Sequence, residues 1–424
     1  YTVNYNSNDR MKIAVIGSGV SGLISAWLLS KHHDVSVFEK NDYIGGHVHT
    51  HSFESSSGLQ NVDSGFIVFN DRTYPNFEKV LNILDVKFQD TTMGFSLKTD
   101  QDFEYSGNSM RSLFAKKSHL FSPKFYSFLS NIVKFNKSSI NQLSSLNDSV
   151  TLQDYLKSIN VSQMSIDNYI IPMGASIWST DPHKMLEMPA VFFLSFLNNH
   201  GLLSIADRPQ WRVICNGSKS YVDKLLSSMS GSVHLNMPVK SVSRNNQGVC
   251  LEFTDQKIDF DKVVLATHSD QALKLLKDPS NEEINILSNI KYQKNIATIH
   301  TDISILPKRK SAWSSWNYFK SKKQKNVVLT YNMNILQNLK SDEVFNVSIN
   351  APDIINPDKI LKTINYEHPL FTIDSVNAKK KIPSLNGSKH TYFCGAYCGN
   401  GFHEDGVNSA LEVCRSFNIG LDNE

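Results

Sequence analysis

The chain has 424 residues, with 43 Lys+Arg against 40 Asp+Glu and a formal net charge of +3. That length predicts two or three domains or one two-lobed unit, and 40% hydrophobic, 10% aromatic and 20% charged residues exclude a disordered chain or a collagen-like fibre. The near-neutral balance gives no overall pull toward nucleic acid, and five cysteines (Cys215, Cys250, Cys394, Cys398, Cys414) make no disulfide framework, so a reducing, cytoplasmic setting is expected.

Residues 1–10 are polar and are expected to be a disordered extension before Met11. No apolar stretch approaches the ~20 residues that cross a bilayer; the longest, Ala190 to Leu197, falls far short. A soluble chain, or one held at the inner membrane surface, is expected. Lys12 to Ile16 reads as a strand buried on both faces. It runs into Gly17-Ser18-Gly19-Val20-Ser21-Gly22, an apolar-periodic helix and a second strand, Asp34 to Phe38, that ends at Glu39. This is a βαβ opening with G-x-G-x-x-G spacing and an acid at the ribose-reading distance. Gly17 permits the tight turn, Gly19 lets a pyrophosphate approach the backbone, and Gly22 allows helix to pack on strand. The helix N-terminus offers free N–H groups and positive dipole to phosphate. A carboxylate at Glu39 disfavours a 2′-phosphate.

Gly45-Gly46-His47 follows Glu39 and Lys40 closely, and Asp63-Ser64-Gly65-Phe66 comes next. Glycine triplet, Glu and double glycine together resemble the FAD-binding amine-oxidase-like flavoproteins. The resemblance implies that Gly45, Gly46, His47, Asp63, Ser64 and Gly65 lie near the flavin. It also implies that Val239, Ala266 and Thr267 form the adenine-side strand and a second strand-end loop. At the far end, Tyr392 to Tyr397 reads as a strand and its exit, followed by Gly401-Phe402-His403-Glu404-Asp405-Gly406 and a helix from Val407 to about Phe417. This matches the family's C-terminal flavin segment, with Gly395, Glu404, Asp405, Gly406 and Val407 as contacts. The acid that many members carry after the strand glycine is Ala396 here. A bacterial branch of predicted NAD/FAD-binding proteins, associated with modified membrane fatty acids, is the nearer resemblance. It is carried by Gly45-Gly46-His47, Trp178, Arg208-Pro209-Gln210-Trp211-Arg212, Trp313 to Tyr318, Tyr331 to Asn334 and the 401–406 segment.

The resemblance implies an α/β fold of amine-oxidase-like two-domain architecture. A discontinuous Rossmann-like FAD-binding domain (11–90, 205–275, 385–424) would carry an inserted α+β substrate domain (91–204, 276–384). Val233 to Lys240, Gly248 to Thr254 and Lys257 to Ala266 read as strands.

Between Tyr105 and Asn147 there is no acid, while Arg111, Lys116, Lys117, Lys124, Lys134 and Lys137 interleave with Phe114, Phe121, Phe125, Phe128, Leu129, Ile132 and Phe135. Phe125, Phe128, Leu129 and Ile132 have helical spacing. The segment is either a core helix with solvated lysines or a face for an anionic membrane. A second basic block, Lys308 to Lys310 and Lys320 to Lys325, flanks Trp313, Trp316 and Tyr318, without further support for nucleic acid. Pro189 to Leu197, with Val191, Phe192, Phe193, Leu194, Phe196 and Leu197, fits either a core run or an acyl tunnel.

Hydride transfer to a flavin asks the protein to position a C–H bond and exclude water. Tyr397, Trp178, Tyr331 and Trp316 are candidates for the flavin face, and His403 and Glu404 for proton handling. His47, His49 and His51 alternate, but no fourth metal ligand is evident, so no metal is expected. Three readings remain open: an FAD-dependent oxidoreductase of an unsaturated or methylated acyl chain, a flavin amine oxidase or oxidase of another small hydrophobic substrate, and a non-catalytic flavin-binding module for a membrane or partner.

Overall fold

The computed structural model describes residues 10–204, 208–321, 328–351 and 353–421. Residues 1–9 and 322–325, parts of the expected extension and of the second basic block, lie outside the described residues. Five short parallel strands form the central sheet, in the order Ser232–His234, Asp34–Phe38, Lys12–Ile16, Lys262–Leu265, Thr391–Phe393. Ile13, Ala14 and Val15 are fully buried, as an interior strand covered on both faces requires. The last strand is supplied by the C-terminal end of the chain, so the two ends meet in one sheet.

Helix Val20–Leu29 covers one face, and helix His403–Arg415 lies against it. Gly406 makes that approach possible, because a Cβ there would stand 2.5 Å from a Val20 methyl. The last helix begins at His403, four residues before the expected start. Asp405 accepts the Phe402 N–H at 3.0 Å and closes the first turn there. The Lys257 to Ala266 stretch breaks into two strands in different sheets, Lys257–Phe260 and Lys262–Leu265. Between them, Asp261 takes the Lys12 N–H on its carboxylate at 2.6 Å and donates its own N–H to Lys12 O. Strand Val233 to Lys240 is shorter than expected and stops at His234.

A second, seven-stranded sheet runs Ile360–Pro369, Tyr292–His300, Asn346–Ile349, Leu329–Asn332, Trp316–Lys320, Phe95–Thr99, Glu104–Ser106, antiparallel except where Trp316–Lys320 meets Phe95–Thr99. Helices drawn from residues 110–199 pack on it. In helix Pro123–Gln142, Phe125, Phe128, Phe135 and Ser139 are buried at 3-7-4 spacing, so this face is core. Helix Ala190–Asn199 is likewise core through Phe193, Leu194 and Leu197. No described helix is long and apolar enough to cross a membrane.

Candidate active site and cofactor cleft

One cavity of about 1950 Å³ runs from the glycine-rich turn at the central sheet to the helices on the second sheet. Small-molecule pockets are usually ~300–1,000 Å³, so there is room for a dinucleotide and a substrate together. Its sheet end is built by backbone. Gly17 turns the chain at φ +104°, and a Cβ there would press 2.5 Å from the Ala266 carbonyl oxygen. At Gly19 a Cβ would meet nothing within 4 Å: it would project into open cavity. Gly19 also starts helix Val20–Leu29, which has neither a capping side chain nor an acid in its first turn, leaving its N–H groups to an anion. Gly46, at φ +60°, lays the second glycine loop against Gly19. Glu39 is buried on the same wall, its carboxylate accepting from Ser18 N and Oγ and from Asn41 N.

Ser21, Lys40, Gly45, His47, Gly65, Val239, Ala266, Thr267 and Gly395 also line the cavity. Gly65 has to be glycine because the His47 carbonyl occupies the place of its Cβ. The His47 ring stacks on Tyr366 at 4.7 Å, and its buried Nε2 finds no partner among the described residues. Burial and the neighbouring His368, His268 and His403 hold this imidazole well below its usual pKa, so it is a neutral hydrogen-bonding group. His49 stacks on Tyr43 at 4.0 Å, and His51 meets the His49 ring at a tilt, 4.1 Å away. No group of three metal-capable side chains forms among the described residues.

Several residues expected at the cofactor stand behind the wall instead. Asp63 is buried and accepts from Ser218 N and Oγ, Thr50 Oγ1 and Gln337 Nε2, which ties the 58–63 strand to helix Lys219–Ser228. Burial raises its pKa to about 6 against those hydrogen bonds. Ser64 bridges His51 Nε2 and the Tyr366 hydroxyl. Gly22 faces Gly17 and Ala266, as its packing role requires. Asp405 caps its own helix, Gly406 meets Val20, and Val407 is core.

Glu404 is corrected most sharply. Expected as a proton carrier, it accepts the N–H of Asn76 at 2.9 Å and of Phe77 at 2.8 Å, capping helix Pro75–Ile83. Burial raises its pKa to about 7 despite these bonds. His403 does reach the cavity, but its Nε2 shares a 2.6 Å hydrogen bond with the Tyr221 hydroxyl and its ring stacks on Phe66 at 3.7 Å. Burial lowers its pKa to about 3, so it stays neutral and orients rather than shuttles protons near neutrality.

The aromatic candidates are brought together. Trp316 and Tyr331 sit on neighbouring strands in edge-to-face contact at 5.7 Å, on the cavity wall. Trp178 donates its indole N–H to Asn400 O at 3.1 Å, tying the substrate-side helix Ile171–Trp178 to the C-terminal loop. Tyr397 lines the wall beside Gly395. Phe371 was not singled out from sequence, yet with Phe402 of the 401–406 segment and Phe196 of the apolar run it completes this aromatic wall. Lys379 was missed as well. It donates to Gly399 O at 2.7 Å and lies 4.5 Å over the Phe192 ring, and burial lowers its pKa to about 8. Its place in a Lys379-Lys380-Lys381 run gave it the look of a solvated cation.

The open space at Gly19, the uncapped helix, the Glu39 carboxylate and the unpartnered His47 nitrogen fit an extended dinucleotide of the FAD type. Comparison with known proteins agrees. The fold matches a crystallised conjugated-linoleic-acid-producing fatty acid isomerase from P. acnes (TM-score 0.68, 14% identity, 97% of this chain and 100% of that one). It equally matches a putrescine oxidase bound to putrescine (TM-score 0.69, 12% identity, 96% and 99%) and a cyclohexylamine oxidase from Brevibacterium oxydans IH-35A (0.67, 14%, 96% and 100%). Among curated proteins, a tryptophan 2-monooxygenase of Allorhizobium ampelinum is 51% identical over 52 residues, 12% of this chain and 7% of the relative. A flavin-dependent L-tryptophan oxidase of Lentzea aerocolonigenes is 42% identical over 60 residues, 14% and 13%. The chain thus spans only a small part of the curated relatives it matches. The model of the flavin containing amine oxidoreductase family matches residues 20–301, well over half of the chain. This protein belongs to the flavin-containing amine oxidoreductase family, and is an FAD-dependent oxidoreductase with the family's two-domain α/β fold.

Proposed function

We propose that this oxidoreductase acts on the acyl chain of an unsaturated or methylated fatty acid or phospholipid, by desaturation or double-bond chemistry. One observation carries the reading. Beyond Trp316 and Tyr331 the cavity wall is Leu113, Leu129, Ile132, Met173 and Ile177, with Asn108, Asn136 and the phenols of Tyr105 and Tyr169 as polar points, Arg208 near Tyr169, and no carboxylate among the described residues there. An ammonium group would enter this compartment without a counter-ion, at a cost in desolvation. A methylene chain would gain about 0.8 kcal/mol for each CH₂ taken from water.

A bound flavin supplies a hydride acceptor. The side chains then position a C–H bond and keep water out. Trp178, Phe196 and Phe402 form a rigid aromatic wall, anchored by the bond from Trp178 to Asn400. His403, held neutral and fixed by Tyr221, presents an imidazole that keeps its orientation. The Tyr331 phenol, its pKa raised by burial, stays protonated as a hydrogen-bond donor. The shared fold of a fatty acid isomerase supports the architecture; the choice of substrate rests on the cavity.

A second reading, oxidation of a small amine, draws on the edge-to-face Trp316–Tyr331 pair, against which an uncharged amine would also pack. Anaerobic titration of the holoenzyme separates the two. Unsaturated fatty acids or phospholipids in detergent micelles should bleach the flavin absorption, and aliphatic or aromatic amines should not. Bleaching by amines alone would refute the acyl reading.

A further inference from the structure

The apolar end of the cavity reaches the surface at helix Pro123–Gln142. Val133 both lines the cavity and is 45% exposed, so the rim lies there. Twelve large hydrophobic side chains are exposed among the described residues, and six of them fall between positions 110 and 140. Tyr126, Val133 and Ile140 recur every seventh residue and form one stripe along the helix. Met110 (71% exposed), Leu120 (45%) and Phe121 (88%) extend it at the helix's N-terminal end, where the Tyr126 hydroxyl donates to Leu120 O. An exposed apolar patch of this concentration on a folded chain marks a contact surface.

The charge around it has one sign. Arg111, Lys117, Lys124, Lys134 and Lys137 are exposed within the same segment, and no acid occurs between Tyr105 and Asn147. Nearby acids are already engaged: Asp102 with Lys116 and Arg309, and Asp148 with Lys380. A second copy of this chain would bring cation against cation. An anionic bilayer offers both of the complements the patch lacks.

We propose that this face docks on an anionic lipid bilayer, with Phe121 and the Tyr126–Val133–Ile140 stripe set into the interface, so that an acyl chain passes from the bilayer into the cavity at Val133 without crossing water. The cargo rests on the acyl reading above, whereas the docking is measured without any turnover.

The holoenzyme is floated with phosphatidylcholine vesicles with and without phosphatidylglycerol. Binding is expected only with the anionic lipid, and it should weaken in high salt. A cation near such a surface contributes ~1 kcal/mol, so each of Lys134→Gln and Lys137→Gln should cost about fivefold in partitioning. Phe121→Asp should release the protein from the vesicles while leaving its melting temperature and flavin spectrum unchanged, since this side chain packs on nothing. Absence of binding to anionic vesicles overturns the proposal, as do equal binding to both vesicle kinds and binding that ignores all three substitutions. Concentration-dependent dimerisation abolished by Phe121→Asp would assign the face to self-association instead. Micelle bleaching without vesicle binding would sink the docking and keep the acyl reading; vesicle binding without bleaching would do the reverse.

Discussion

Replacing Gly19 with alanine separates the cofactor cradle from the fold. A Cβ at Gly19 meets nothing within 4 Å, and the residue's φ of −69° suits any L-amino acid. In the apo-protein two small effects oppose each other. Alanine is a poorer N-cap than glycine by some tenths of a kcal/mol up to ~1, while it restricts the unfolded chain by about 0.4–1 kcal/mol. Apo stability should therefore change little. The methyl would instead stand where a pyrophosphate has to approach the uncapped amides of helix Val20–Leu29. Charge-assisted hydrogen bonds contribute ~1.5–3 kcal/mol each, and loss of even one or two lowers FAD affinity by on the order of a hundredfold. The assay is titration of apo-protein with FAD by flavin fluorescence, alongside thermal melts with and without cofactor. At fixed FAD a hundredfold weaker site removes about 2.7 kcal/mol of ligand-linked stability. Gly22→Ala is the control with the opposite signature: its methyl would collide with the Gly17 carbonyl oxygen, so the apo-protein itself should lose ~1–3 kcal/mol. Gly19→Ala with wild-type FAD affinity, or with an apo melt as low as that of Gly22→Ala, would refute the reasoning.

Three further outcomes are expected. Ile132→Trp should fill the apolar compartment and cut kcat/KM for long acyl chains at least tenfold (about 1.4 kcal/mol) while sparing short ones, measured by flavin bleaching across chain lengths; an even loss for all lengths would speak against a chain-length compartment. Burial depresses the His403 pKa from 6.5 to about 3, so the unfolded chain binds the extra proton first; stability present above pH 6.5 is lost as pH falls toward 3. His403→Gln should reduce the pH slope of urea-unfolding free energy in that window by up to about 1.4 kcal/mol per pH unit, and an unchanged slope would show that this imidazole is not held neutral. Arg244, its side chain wholly buried, donates to both oxygens of Glu283, which is 3% exposed, joining the Ser241–Arg244 strand to helix Asn281–Leu287. Glu283→Ala leaves that guanidinium with Asp278 and a long 3.4 Å bond to Thr391 Oγ1 and should cost about 3–5 kcal/mol in denaturant melts; a loss below 1 kcal/mol would show the pair contributes little.

The sequence alone determined what backbone chemistry encodes locally. Gly17, Gly19, Gly22 and the paired Gly45-Gly46 are positions where a Cβ is excluded by a neighbouring carbonyl, by positive φ or by the ligand's path, and such demands leave glycine at fixed spacings. Glu39 is legible for the same reason, as the acid that closes a strand at the end of a βαβ unit. Tertiary structure decided which polar side chain serves which partner. Glu404 and Asp63 are acids beside flavin-type motifs, yet one caps helix Pro75–Ile83 and the other binds Ser218, residues 327 and 155 positions away in the chain. Lys379 looks like one of three solvated lysines until residues 399 and 400 fold over it. The division between core and cavity along residues 125–140 is likewise a matter of packing. The same apolar periodicity turns Phe128 into the interior and leaves Val133 at the rim, because only the sheet and helices brought in from elsewhere choose the side that is covered.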